Sequence, residues 1–354
     1  MKKILSIIVP SYNMEAYLPK CLSSLIIDDK ELLQKLDVII VNDGSKDRTS
    51  EIAHEFEARY PGVYRVIDKE NGHYGSCINA GLATAKGVYV KVLDADDWFN
   101  TVNFCGYMHL LDSEVDKGLN GADLIVNDFE FVNAANCSVK SYNWINDAST
   151  VADFDYQNGH DLWMHAVAYR VDKVRGIGYR QLTGITHTDI QWLQMPMRTV
   201  KRIAYFPKTV YEYLYLREGN TSTPDEFYRT YAVQEKILRH MIEEYEALTV
   251  PVDETVNTYL RNHLIYRARR AYYVHLMDRN PLLKDDSLVE LDSFLKDKAR
   301  WIYDATDNEQ FSLKITWRYV HAWRKKQRYS FWQKMERLFF EYVLLIWGKL
   351  RKVI

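Results

Sequence analysis

The sequence predicts an α/β fold with a doubly wound, mostly parallel sheet, followed by a helical C-terminal extension. Two observations carry this. Short continuous runs of aliphatic and β-branched residues alternate with helix-length segments through the first half of the chain, as expected for parallel strands covered on both faces. Near residue 223 the runs stop and helical periodicity takes over. The composition agrees: 47% hydrophobic and 27% charged residues among 354 provide a sizeable core and exclude wholesale disorder.

The elements follow in order. Ile4–Val9 is an apolar run; the charged start and the short stretch before Pro10 are too little for a signal-peptide core, so it reads as a buried first strand. An amphipathic stretch from about Glu15 to Ile27 leads to a second strand, Asp37–Val41, and a helix from Arg48 to about Tyr60. Tyr64–Ile67, Val88–Leu93, Asp123–Val126 and Arg202–Phe206 supply further strands, with helical segments at Ser76–Ala85 and Thr101–Lys117. The mixed pattern of 128–200 predicts loops, short strands and one or two helices. Thr223-Pro224-Asp225-Glu226 joins an N-cap residue, a proline at the first helical position and a capping-box Glu. The domain boundary is therefore expected there, with residues 1–223 bearing the sheet and 224–354 helical. Helices are expected at about Asp225–Ala247, Asp253–Asp278, Asp286–Arg300 and Ile315–Leu350.

Several classes drop out. The net charge of -2 gives no general nucleic-acid character. Cys21, Cys77, Cys105 and Cys137 form no C-x-x-C pair and read as free thiols of a reducing cytosol. No run reaches the roughly 18–20 apolar residues of a membrane span. There is no G-x-G-x-x-G after the first strand and no P-loop motif, so dinucleotide and P-loop readings lose their supports.

In a doubly wound sheet, ligands bind beyond the carboxyl ends of the strands. Three polar clusters fall there: Pro10-Ser11-Tyr12-Asn13, Asn42-Asp43-Gly44-Ser45 and Asp94-Ala95-Asp96-Asp97. The last is the sharpest. Three neighbouring carboxylates repel one another, and a divalent cation such as Mg²⁺ or Mn²⁺ removes that repulsion beside a diphosphate. The alternative is an acidic cap for the helix near Thr101. Asn71-Gly72-His73-Tyr74-Gly75-Ser76 is a glycine-bearing turn whose backbone N–H groups could meet a phosphate, or a tight turn with Ser76 as N-cap.

These clusters, in the order Ser6–Asn13, Val38–Asp47, Asn71-Gly72 with Asn79-Ala80-Gly81, and Leu93–Asp97, resemble the family 2 glycosyltransferases. The resemblance is close over roughly residues 1–100 and looser to about 223. It implies a GT-A fold, a nucleotide-sugar donor (UDP-sugar expected) and inverting transfer to an acceptor hydroxyl. It implies a donor-nucleotide site at Pro10, Tyr12, Asn13, Asp43, Asn71, Gly72, Asp94 and Ala95, with Asp43 bonding the base. It maps the D-x-D metal motif onto Asp94 and Asp96, with Asp96 the direct ligand of Mg²⁺ or Mn²⁺. The catalytic base maps to Asp189 in Thr188-Asp189-Ile190-Gln191-Trp192, where Thr188 replaces the usual Glu. Read without the family, Asp189 is better explained as a helix N-cap or first-turn acid ahead of Gln191–Met195; the resemblance reverses that preference. Many members carry Ala-Arg-Asn where this chain has Cys77-Ile78-Asn79, so an arginine role on the donor phosphate is either absent here or passes to another residue such as Lys91 or His73. The Gln-x-x-Arg-Trp pattern of processive members is missing, which implies one sugar per encounter.

Charge is uneven along the chain. Ser312–Ile354 holds 11 Lys/Arg against 2 Asp/Glu, a balance of +9, beside an acidic body. Residues 331–350 set Phe331, Met335, Leu338 and Tyr342 at helical spacing, with basic residues alongside, as in an interfacial amphipathic helix. Packing on the protein's own core and docking on a partner are the alternatives. With a lipid-linked or polysaccharide-precursor acceptor, as the resemblance implies, the expected place is the cytoplasm with peripheral contact to the inner membrane face. Nucleic acid is not expected as a partner, and an oligomer is compatible with the sequence. The competing readings are a nucleotidyltransferase and a non-catalytic sugar-nucleotide-binding or scaffold protein on the same fold.

Overall fold

The computed structural model describes residues 1–133, 135–143, 151–153, 162–215, 230–249, 251–276, 286–307 and 320–326. The chain divides into two units, Met1–Phe227 with Leu248–Leu260, and Tyr228–Ala247 with Arg261–Ile354. The expected boundary at 223/224 lies outside the described residues.

In the first unit, β1 (Leu5–Ser11), α1 (Leu18–Ser23), α2 (Lys30–Gln34), β2 (Leu36–Asn42), α3 (Thr49–Arg59), β3 (Tyr64–Asp68), α4 (His73–Thr84) and β4 (Tyr89–Val92) alternate as the periodicity predicts, apart from the unanticipated α2. Then come β5 (Trp98–Phe99), α5 (Thr101–Asp116), β6 (Leu124–Val132), β7 (Ser138–Tyr142), β8 (Val151–Asp153), β9 (Val167–Arg170), α6 (Val171–Gly176) and β10 (Arg202–Leu214). The sheet runs β3-β2-β1-β4-β9-β6-β10-β5, with β7 on β6 and β8 on β10.

The half carrying β3, β2, β1 and β4 is parallel throughout. Every residue of β2 is buried, and Leu5–Val9 of β1 are buried too, which is why these strands read as unbroken apolar runs. Full burial of one such side chain is worth about 1.5–3 kcal/mol. Helix α4 lies close over β1 because residue 81 is glycine: a Cβ there would stand 2.6 Å from Ile8 Cγ2. The other half is mixed. β9 enters antiparallel to both β4 and β6, while β6 and β10 are parallel. The α/β expectation holds, with an antiparallel strand inserted where the pattern was unreadable.

Three expectations change. β10 does not stop at Phe206 but continues to Leu214 past a register shift at 206–211, where Pro207 lacks an N–H for the ladder. Helix α4 starts at His73 with Gly72 as its N-cap, so Ser76 lies inside the helix instead of capping it. Helix α5 is capped by Asn100, whose side chain accepts from Asn103 N at 3.1 Å. The Asp94–Asp97 carboxylates are therefore not its cap.

The second unit is helical: α7 (Tyr231–Glu246), α8 (Glu254–Leu276, whose start belongs to the first unit), α9 (Ser287–Lys298) and α10 (Arg300–Thr306). Ile237, Leu238, Met241, Leu264, Leu291 and Ile302 are buried. Arg324 is tied into this unit. Its guanidinium donates to Asp292 Oδ1 at 2.8 Å, Tyr303 O at 2.9 Å and Tyr272 Oη at 2.8 Å, and lies 3.6 Å from the Tyr303 ring centroid. Arg324, a residue of the basic tail, is thus anchored on this unit, whereas the amphipathic stretch 331–350 lies outside the described residues. Among the described residues, no helix is long and apolar enough to cross a membrane.

Candidate active site

The carboxyl ends of β1, β2 and β4 carry the three polar clusters, and the first two are stitched together. Asn13, in the left-handed region at φ 54°, donates its N–H to Ser45 Oγ at 3.0 Å and accepts from Lys46 N at 2.7 Å through Oδ1. Met14 N donates to Thr49 Oγ1 at 2.7 Å, and Glu15 N to Asp47 Oδ2 at 3.0 Å. The Asn13 side chain is thus a brace between the two turns, whose residues Tyr12, Asn42, Gly44 and Lys46 border a cleft.

That cleft, about 550 Å³, is lined by Tyr12, Asn42, Gly44, Lys46, Asp68, Lys69, Glu70 and Asn71. Tyr12 is exposed and Asn71 exposed, while Pro10 sits half-buried behind them at the end of β1. Asp43 is almost fully buried beneath this edge, its Oδ1 accepting from Gly72 N at 3.0 Å and from the Lys69 ammonium. Asp43 thereby joins β2 to the start of α4. Lys69 and Asp68 carry no motif in the sequence; only their place at the end of β3 marks them.

The acidic turn lies at the end of β4. Asp97 N donates to Asp94 O at 3.0 Å, closing a tight turn around the buried Ala95 and half-buried Asp96. Asp97 is buried and accepts from Tyr211 Oη at 2.6 Å and Leu214 N at 2.8 Å, both on the extended part of β10. Burial, and then the charges of Asp96 and Asp94, push its carboxyl well above the usual range. The sequence left Asp97 as a neighbour of the motif and gave no role to Tyr211.

Oxygen atoms of Asp94 and Asp97 and a ring nitrogen of His165 lie within 4.8 Å of one another. Asp96 does not join this group. Two carboxylates, a neutral imidazole and mutual repulsion that a positive ion offsets all fit a divalent cation. Burial, helped by the Lys91 charge, pushes the His165 imidazole down to about 3, so it is present as the neutral ligand form. Lys91 itself is fully buried and donates to Asn127 Oδ1 at 2.8 Å and to the carbonyls of His165 and Val167. It is a strut between strands, not a donor-phosphate residue as the sequence suggested. His73 is exposed at the start of α4.

Tyr74, in the first turn of α4, links this turn to the residue expected as base. Its hydroxyl donates to Asp94 Oδ1 at 2.9 Å. Burial and the charges of Asp94 and Asp189 push it well above its usual value, so it keeps its proton. Asp189 is half-buried in the first turn of a 3-10 segment, Thr188–Leu193, and among the described residues no hydrogen-bond donor is engaged by its carboxylate. The loop before it is fixed independently. Asn79 exchanges hydrogen bonds with Gln181 (Nδ2 to O at 2.9 Å, N to Oδ1 at 2.8 Å), and Thr188 Oγ1 donates to Gln181 Oε1 at 3.0 Å. Gly75 allows the contact, since a Cβ there would fall 2.0 Å from Leu182 O.

An α/β sheet with a cleft of about 550 Å³ and an acidic turn at its strand ends defines a fold of the GT-A type. Residues 6–177 match the family described as glycosyl transferase family 2. Similar curated proteins include the uncharacterized glycosyltransferase EpsJ of Bacillus subtilis, 38% identical over 104 residues (29% of this chain and 29% of that protein). Chondroitin synthase of Pasteurella multocida is 36% identical over 104 residues, 29% of this chain and 10% of that protein. The matched segment therefore spans less than a third of each relative. Among solved structures, residues 1–349 of S. aureus TarS in complex with UDP-GlcNAc share the fold, with TM-score 0.63, 19% identity and coverage of 92% of this chain and 93% of that one.

Proposed function

We propose that this chain is an inverting glycosyltransferase that moves one hexose or N-acetylhexosamine per encounter from a UDP-sugar to an acceptor hydroxyl. The observation that carries the reading is Tyr74: one helix turn holds its hydroxyl on Asp94 and within the field of Asp189, while the same helix start holds Asp43 through Gly72 N. Donor, leaving group and acceptor sides thus meet at the N-terminus of α4. UDP is favoured over other nucleotides because the similar fold of TarS was solved with UDP-GlcNAc.

The nucleotide lies in the cleft edged by Tyr12 and Asn71, with Pro10 and Asn13 shaping its floor and Asp43 accepting from the base. The diphosphate faces the α4 N-terminus, which no side chain caps, where backbone N–H groups and the helix dipole favour negative charge. Asp94, Ala95 and Asp96 form the turn that meets the diphosphate. Its carboxylates would hold a Mg²⁺ or Mn²⁺ ion, which would supply charge neutralisation for the departing diphosphate. Asp189 takes the proton from the acceptor hydroxyl, a contribution on the order of 10²–10⁴-fold. One displacement inverts the configuration. The relation to chondroitin synthase supports a glycan or lipid-linked polysaccharide precursor as acceptor, met at the cytoplasmic membrane face through the basic tail.

Asp43→Ala is expected to weaken UDP itself, not only a UDP-sugar, by about 1.5–3 kcal/mol, roughly 10- to 150-fold. Calorimetry checks this. Equal affinity in a variant with an unchanged melting temperature removes Asp43 from the nucleotide site.

A further inference from the structure

We propose that His165 is a metal ligand, its ring nitrogen joining the carboxylates of Asp94 and Asp97 around a divalent cation in a mixed nitrogen–oxygen site that prefers Mn²⁺ to Mg²⁺. This goes beyond the D-x-D reading, which uses Asp94 and Asp96 alone. It rests on the proposed function only in placing the cation at the donor end of the sheet.

Three observations converge. The candidate ligand atoms of Asp94, Asp97 and His165 lie within 4.8 Å of one another, close to the span of two bonds of roughly 2.2 Å each. His165 is 8% exposed, and its buried Nδ1 has no hydrogen-bond partner. A polar atom taken from water and left unpaired is a standing cost that a bound ligand, or a proton partner delivered with one, removes. Finally, the ring is held in place by its surroundings. It lies 4.7 Å from the Tyr211 ring and 5.0 Å from Tyr213, both edge-on, and 5.3 Å from Phe129, with Trp163 stacked at 6.2 Å.

The backbone of His165 is fixed as well, because the Lys91 ammonium donates to its carbonyl at 2.8 Å. The Lys91 side chain nearby is engaged by three oxygens, Asn127 Oδ1 and the carbonyls of His165 and Val167. On the other side Tyr211 Oη and Leu214 N hold both oxygens of Asp97, so the carboxylate is oriented before any ion arrives. Tyr211 is therefore a positioning residue for this site: its ring flanks His165 and its hydroxyl orients Asp97. Mg²⁺ takes oxygen ligands and keeps its waters, whereas first-row transition ions accept imidazole, so a nitrogen in the set shifts selectivity away from Mg²⁺.

The test is pulsed electron paramagnetic resonance of Mn²⁺ added to the full-length protein, with and without UDP, followed by titration with Mg²⁺ as a silent competitor. The wild type should show ¹⁴N coupling from a directly bound imidazole. His165→Ala and His165→Gln should lose that coupling, bind Mn²⁺ at least about tenfold more weakly, and give up the ion to lower Mg²⁺ concentrations. Bound Mn²⁺ without ¹⁴N coupling in the wild type overturns the proposal, and this needs no variant to fold. Such a result with UDP still bound would leave the nucleotide reading standing; absence of UDP binding both with and without Mn²⁺ would instead sink the proposed function.

Discussion

Asp189→Asn is expected to leave UDP-sugar affinity nearly unchanged and to slow transfer by about two to four orders of magnitude. Asparagine keeps the size and the first-turn position of the 3-10 segment but cannot take a proton. The loop around it should stand, because Asn79, Gln181 and Thr188 hold it without help from the Asp189 side chain. Binding and chemistry are thus separated in one variant. If Asp189 were only a helix-start acid, transfer would persist and the melting temperature would barely move, since Asn and Asp serve such positions about equally. Steady-state rates of UDP release with a saturating acceptor, set beside donor affinity by calorimetry, decide between the two.

Asp94→Asn is expected to lower kcat by roughly 10²–10³, the scale seen when one preorganised electrostatic contact to a developing charge is removed. Asp94 is shared by the D-x-D motif, by the group with Asp97 and His165, and by the bond from Tyr74 Oη, so no neighbour can substitute for it. Chelating divalent ions from the wild type should reproduce the loss, and adding EDTA to Asp94→Asn should cost little more. A variant turning over like wild type at equal Mn²⁺ removes the acidic turn from the chemistry.

The grouping of Tyr12, Asp43 and Asp94 at one edge of the sheet was legible from apolar runs alone, because the carboxyl ends of neighbouring parallel strands fall together. The α/β half of the chain was readable because β1 and β2 are buried on both faces and show no alternation. What stayed hidden has physical reasons. Pro207 and the register shift after Phe206 break the run in β10, so Tyr211 and Leu214, which hold Asp97, fell beyond the expected strand. β9 is short and antiparallel, lying in a stretch without clear period, and His165 just before it carried no spacing signal. Lys91 looked available because a lysine in an apolar strand has no sequence mark for its burial against Asn127. Tyr74 was visible in the glycine segment, but its reach to Asp94 depends on α4 starting at His73 instead of Ser76.

The proposed reaction is a single displacement at an anomeric carbon with a nucleoside diphosphate leaving. Proton NMR of UDP-α-GlcNAc incubated with the full-length protein and Mn²⁺ follows it directly, with water or an added sugar as acceptor. UDP should be released with a first-formed product in the β configuration, before any mutarotation. A first product in the α configuration, or release of UMP in place of UDP, would contradict it.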